Sequence, residues 1–218
     1  MVKAQTRGRR GLNRDELLET AFEMASAEGE AGFSLRKLGA RIGVDPMTLL
    51  HHFGSKDGLL REIADFSLKT VALPDPSDDW KADLGAVAHA YRDLARRHPR
   101  IFHLHFRYHA TGARDHAASE VVHRALRASG LPDSTAAGLG LAFFAFVLGF
   151  ALAEAEGLVQ PLSKTEEAEL TALDPDAFAA TRAFIPAFKT LDSGATFEAA
   201  IGAFIDGIAL RCDDRRAT

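Results

Sequence analysis

Residues 134–153 form a run of 20 side chains without a single charge, and no other feature limits the fold of this chain so much. A run of that length must be hidden, in a bilayer or in a protein core. It reaches the minimum for a membrane span. It is rich in Ala and Gly, however, Asp133 precedes it, Glu154 and Glu156 follow it, and no basic flank anchors it. The expectation is therefore a buried helix over 134–156, apolar all round, with no membrane contact. One copy of a 218-residue chain offers few elements to cover such a helix. A second copy is the expected cover, which makes the protein a homodimer. Phe143, Phe144, Phe146 and Phe150 are carried on this helix, facing either the partner or a ligand cavity.

Elsewhere the pattern is helical throughout, and clean period-2 runs are missing. Asn13 with Glu16 reads as a capping box, after which Leu17, Leu18, Ala21, Phe22 and Ala25 share one stripe up to Gly29. Ser34 caps a second helix that stops at Gly43. Asp45-Pro46 starts a third that ends near Phe53. Ser55 starts a fourth, expected to run to about Ala72. Prolines 74 and 76 then break the chain. The spacing predicts further helices over 78–97, 100–108, 114–129, 134–156, 176–191 and 196–211, with one short helix over 166–173. The fold class is all-α. Residues 1–73 form one domain and residues 74–218 a second.

Charge is unevenly placed. Five basic residues and no acid precede Asp15. Residues 1–70 hold 11 basic and 10 acidic side chains, whereas residues 71–218 hold 15 and 20. A basic arm in front of an acidic body suits nucleic acid at one end only. The lone Cys212 rules out a disulfide within one chain and suits a reducing compartment. The N-terminal basic residues are followed by no apolar run, so no signal peptide is expected and the cytoplasm is the expected location. The chain contains no HExxH, GxSxG or glycine-rich phosphate loop, and no enzymatic activity or cofactor is expected.

The informative segment is 33–60, FSLRKLGARIGVDPMTLLHHFGSKDGLL. Two short helices joined at Gly43 give a helix-turn-helix, with Leu38, Ile42, Val44 and Leu49 facing inward. The third helix then offers Pro46, Met47, Thr48, His51 and His52 to the major groove. At Ser34-Leu35-Arg36-Lys37-Leu38, Gly43-Val44, Thr48-Leu49, His52, Ser55-Lys56 and Leu59-Leu60, this segment resembles the DNA-binding domain of the TetR (tetracycline repressor) family. Arg9-Arg10-Gly11-Leu12 before the first cap adds to the likeness. Residues 174–211 resemble the closing helices of the tetracycline-repressor-type C-terminal domain more weakly.

The resemblance implies a repressor that leaves its double-stranded DNA operator when a small molecule binds. Thr48 would touch base or phosphate. Pro46 and Met47 would make apolar contacts to thymine methyls, and His52 and Lys56 would bind phosphates. Arg36 would lie near the backbone or a base, and the arm with Arg9 and Arg10 would follow the groove. The family usually has Tyr where this chain has Leu50, which removes one phosphate contact; His51 is the candidate to replace it. The family's dimer is a four-helix bundle, here from the helices near 134–156 and 196–211. Its ligand sits among the middle helices, where His103, Phe106, Arg107, Phe143 and Phe146 are the candidates. His105 and His109, four residues apart, have the spacing of a metal pair with no assured third ligand. Polar lining of an apolar pocket is the other reading of these histidines, and no metal is expected.

Overall fold

The computed structural model describes residues 13–75, 77–108 and 112–216, with side chains to Cys212. Among the described residues there are helices and no strands. Two compact units divide the chain: Met1–Ala72 with His98–Ala117, and Leu73–Arg97 with Ala118–Thr218.

The first unit opens with α1 (Arg14–Gly32), α2 (Leu35–Ile42), α3 (Pro46–Phe53) and α4 (Lys56–Ser67). Each start is set by a side chain that accepts a hydrogen bond from an otherwise orphaned amide. Asn13 accepts from the Asp15 amide, Ser34 from Lys37, Asp45 from Met47 and Ser55 from Gly58. Helix α1 kinks at Gly29 (φ 70°), so its straight part ends at the residue expected from sequence and one more turn follows. Helix α4 ends at Ser67, short of Ala72, and a 3-10 turn closes it at Thr70. The core joins Leu17, Leu18, Ala21 and Phe22 of α1 to Leu38, Leu49, Leu59, Leu60 and Ile63. Full burial of each leucine, isoleucine or phenylalanine side chain contributes about 1.5–3 kcal/mol.

The segment from His98 belongs to this core too. It forms α6 (Pro99–Phe102) and α7 (Leu104–Arg107), broken at His103 where one helix was expected. Ile101, Leu104 and Tyr108 pack into the cluster around α1 and α4. The chain first passes between the units at residues 72–73, and residues 98–117 then return to the first unit, a return that the border expected at residue 73 does not contain. The reason is apolar contact across a wide separation in the chain, which no linker composition reveals.

The second unit holds α5 (Trp80–Arg97), α9 (Asp133–Ala155) and α13 (Ser193–Arg216), packed on one another. It also takes most of α8 (Ala113–Ala128) and three short helices, α10 (Lys164–Ala172), α11 (Ala179–Ala183) and α12 (Ile185–Phe188). Pro186 has no N–H for the helical bond, so the helix expected over 176–191 splits in two. A capping box does occur, at Ser163 and Glu166. Between α5, α9 and α13 lies an aromatic cluster: Tyr91 on Phe144, Phe146 stacked on Phe204, and Phe150 on Phe197. Arg92 donates twice to Glu154 at 2.7 Å and lies over the Phe197 ring. Ser193 donates to the same carboxylate, which the Arg92 hydrogen bonds hold below its ordinary pKa.

Within one chain, helix α9 is covered on one face. It is buried along Ala136, Gly140, Phe143, Val147, Leu148 and Ala151 only. Its other face, with Ala137, Gly138, Leu141, Ala142 and Ala145, is exposed, Leu141 at 71%.

Candidate nucleic-acid interface

Gly43 adopts φ 75°, a left-handed conformation that reverses the chain after α2 at little steric cost. Gly39, four residues earlier inside α2, is constrained by space. A Cβ on Gly39 would lie 2.7 Å from the Val44 carbonyl oxygen, so glycine there lets α2 close on the turn. The Val44 amide donates to Gly39 O at 2.9 Å. Leu38 and Leu49 are fully buried, with Ile42 and Val44 packed beside them. These contacts fix α3 against α2 and decide which of its residues look outward.

The outward face of α3 carries Met47, 68% exposed, and His51 one turn later. Pro46, Thr48, Leu50 and His52 are half-buried, and Phe53 is buried. The His51 ring meets the His52 ring edge-on. Arg36 is exposed on α2. Lys56 opens α4 and donates to the Glu30 carbonyl at 3.3 Å, while Lys37 turns to Glu28 and the Gly32 carbonyl. Arg9 and Arg10 lie outside the described residues.

Behind this face sits a polar network that the sequence did not reveal. Glu30 accepts from His103 and from Arg107, both at 2.8 Å. Arg107 first, then His103, hold the Glu30 carboxyl below its ordinary pKa. The Tyr108 hydroxyl donates to Asp57. Ser67 of α4 meets His105 Nε2 at 2.9 Å inside the core. These partners are 38 to 77 residues apart, and no local pattern announces them.

Of the five residues expected to line one ligand pocket, His103, Phe106 and Arg107 belong to the first unit and Phe143 and Phe146 to the second. His103 and Arg107 are engaged with Glu30, and Phe106 is exposed in the first unit. Phe143 is fully buried in the second unit, and Phe146 is stacked on Phe204. Aromatic packing among α5, α9 and α13 already occupies these two rings. The second unit has a cleft of about 210 Å³ lined by His123, Arg127, Asp133, Ala136 and Ala137, none of them among the five. His105 is bonded to Ser67, and His109 lies outside the described residues. No group of three metal-ligating side chains occurs among the described residues.

Capped short helices around a glycine turn, with an outward third helix and a helical C-terminal unit, define a helix-turn-helix DNA-binding regulator. Residues 17–63 match the family model for bacterial regulatory proteins of the tetR family, and residues 73–212 match that for the tetracyclin repressor-like C-terminal domain. The chain belongs to the tetracycline repressor family and is a ligand-responsive, DNA-binding transcriptional repressor. It is 28% identical over 205 residues to the class A tetracycline repressor protein from transposon 1721 of Escherichia coli, covering 92% of each chain. Its fold matches Streptomyces coelicolor ActR in complex with actinorhodin at a TM-score of 0.82 and 24% identity, over 92% of this chain and 98% of that one. It matches BioQ bound to its double-stranded DNA operator at 0.69 and 21%, over 91% and 99%.

Proposed function

We propose that two copies of this chain act together in the cytoplasm, each placing α3 in one major groove of an operator, and that a small organic effector with apolar surface releases them. The observation that carries this reading is the outward face of α3, held by buried contacts and flanked by Arg36 and Lys56. Thr48, His51 and His52 complete the groove and backbone contacts. Arg36 and Lys56 serve phosphates, and the arm with Arg9 and Arg10 adds charge. The family, a relative named for tetracycline and a neighbour of the same fold holding actinorhodin support an organic effector.

The effector signal reaches the reading head through residues 98–117. That segment is tied to α1 by Glu30 and to α4 by the His105–Ser67 bond. Shifting it moves α4 and with it the spacing of two recognition helices. Half-sites lie roughly 34–36 Å apart on DNA, so a small change in spacing weakens binding steeply.

The test is a mobility shift on the DNA upstream of the chain's own gene, titrated with a panel of hydrophobic compounds. One compound is expected to release the DNA, and the DNA is expected to weaken binding of that compound by the same factor. Release by divalent metal alone would overturn the organic-effector reading. Failure to bind any DNA would overturn the whole proposal.

A further inference from the structure

Helix α8 begins without a side-chain cap of its own. Gly112 stands at the N-cap position, its carbonyl accepting from the His116 amide at 3.0 Å. Glycine has no side-chain oxygen to offer the amides of the first turn. The missing acceptor comes from α4. Asp65 Oδ1 accepts from the Arg114 amide at 3.1 Å, and Asp65 Oδ2 accepts from the Arg114 guanidinium at 3.1 Å. A carboxylate at this place also suits the positive end of the helix dipole. The fit is close, since a Cβ on Gly112 would run into the Asp65 carboxylate. Glycine at this position thus gives up a local cap and leaves room for one supplied from 49 residues before Arg114.

Helix α4 starts at Lys56, the proposed phosphate ligand, and its Leu59 and Leu60 share a core with Leu49 of α3. Asp65 lies about 14 Å further along the same helix. Helix α8 is the one described element with residues in both compact units: 113–117 fall in the first and 118–128 in the second. The Ser67–His105 bond ties the end of α4 to α7, and the Asp65 cap ties it to the helix that continues into the second unit. Resting on the repressor reading, we propose that Asp65 is a positioning residue of the effector response: by capping α8 from α4, it makes the seat of α4, and with it the aim of α3, depend on where α8 stands. An effector that displaces α8 then draws the end of α4 after it, through one carboxylate with two hydrogen bonds.

The test runs the coupling in reverse with DNA as the probe, because coupling between two sites is reciprocal. A double-stranded site is first selected from a randomised library with the full-length protein. Amide hydrogen exchange of residues 118–128 is then compared with and without that duplex. In the wild type the duplex is expected to slow exchange there about fivefold, the low end of ordinary coupling between sites. Asp65→Ala, which removes both bonds, and Gly112→Ala, which pushes the carboxylate away, are expected to lose the response. Asp65→Asn keeps an oxygen for the Arg114 amide; it is expected to hold the wild-type helical circular dichroism with a smaller response, and it decides the matter should either alanine variant lose its helical signal. A cap that merely stabilised α8 would, on removal, speed exchange equally with and without DNA and leave their ratio intact. That result, or a wild-type α8 indifferent to the duplex, would overturn the proposal. A library that yields no preferred sequence would instead overturn the repressor reading on which it rests.

Discussion

His105 shows how the same residue means different things in sequence and in structure. Its spacing from His109 suggests a ligand pair, yet the folded chain buries it against Ser67. The Ser67 hydroxyl has one proton, and it donates to the Ala64 carbonyl at 2.7 Å. It must therefore accept from His105 Nε2–H, which makes the imidazole the Nε2–H tautomer. Burial pushes the pKa from 6.5 down to about 4, against the partial support of Asp65 and with a smaller push from the ring of His98. Between pH 6.5 and 4 the unfolded chain binds a proton at this site and the folded chain does not. Stability thus rises with pH through that window, is complete above it, and is lost as pH falls. The whole effect is about 3 kcal/mol at ~1.4 kcal/mol per pH unit. Urea titrations at stepped pH are expected to show this slope in the wild type and a slope lower by about one proton in His105→Gln. Equal slopes would show that another group carries the acid sensitivity.

At the scale of elements, what was legible in the sequence was local. Ser34, Asp45, Ser55 and Gly43 each act within four residues of themselves, and the helix ends they set fall where the pattern puts them. Of the expected outward set of α3, Met47 and His51 are exposed, whereas Pro46, Thr48 and His52 are half-buried. Glu30 with His103 and Arg107 was not legible, because an ion pair across more than 70 residues leaves no periodic trace. The break at His103 and the joining of residues 98–117 to the first unit were hidden likewise. Gly43 gives the local logic a direct test. Any Cβ at φ 75° is strained by about 1–2 kcal/mol. Gly43→Ala is expected to lower unfolding free energy by that amount and to weaken operator binding, because the turn sets the angle of α3. Gly43→Asn should recover part of both, since Asn tolerates the left-handed region better. Denaturant melts of the three proteins decide it; an alanine variant as stable as wild type would remove the turn argument.

For the whole molecule, the long uncharged helix remains the main constraint. It was expected to need cover all round, and in one chain it is covered on one face. The Phe143, Phe146 and Phe150 rings answer to the aromatic cluster of the same chain, through Phe204 and Phe197. An acidic residue at Phe146 would therefore unfold the second unit and say nothing of assembly. The informative position is Leu141, 71% exposed among Ala137, Gly138, Ala142 and Ala145. On α13, Gly207 and Leu210 are exposed as well, Leu210 at 65%. Small residues with isolated leucines let helices of two copies approach closely, and an aspartate there would be desolvated without a partner. Leu141→Asp is expected to keep its helical circular dichroism, to sediment as a monomer where the wild type sediments as a dimer, and to lose at least tenfold in affinity for a two-half-site operator. Its binding to an isolated half-site should stay near that of the wild-type protein, because the first unit is untouched. A wild-type chain that sediments as a monomer at micromolar concentration, or a Leu141→Asp dimer of full operator affinity, would move the assembly surface away from α9.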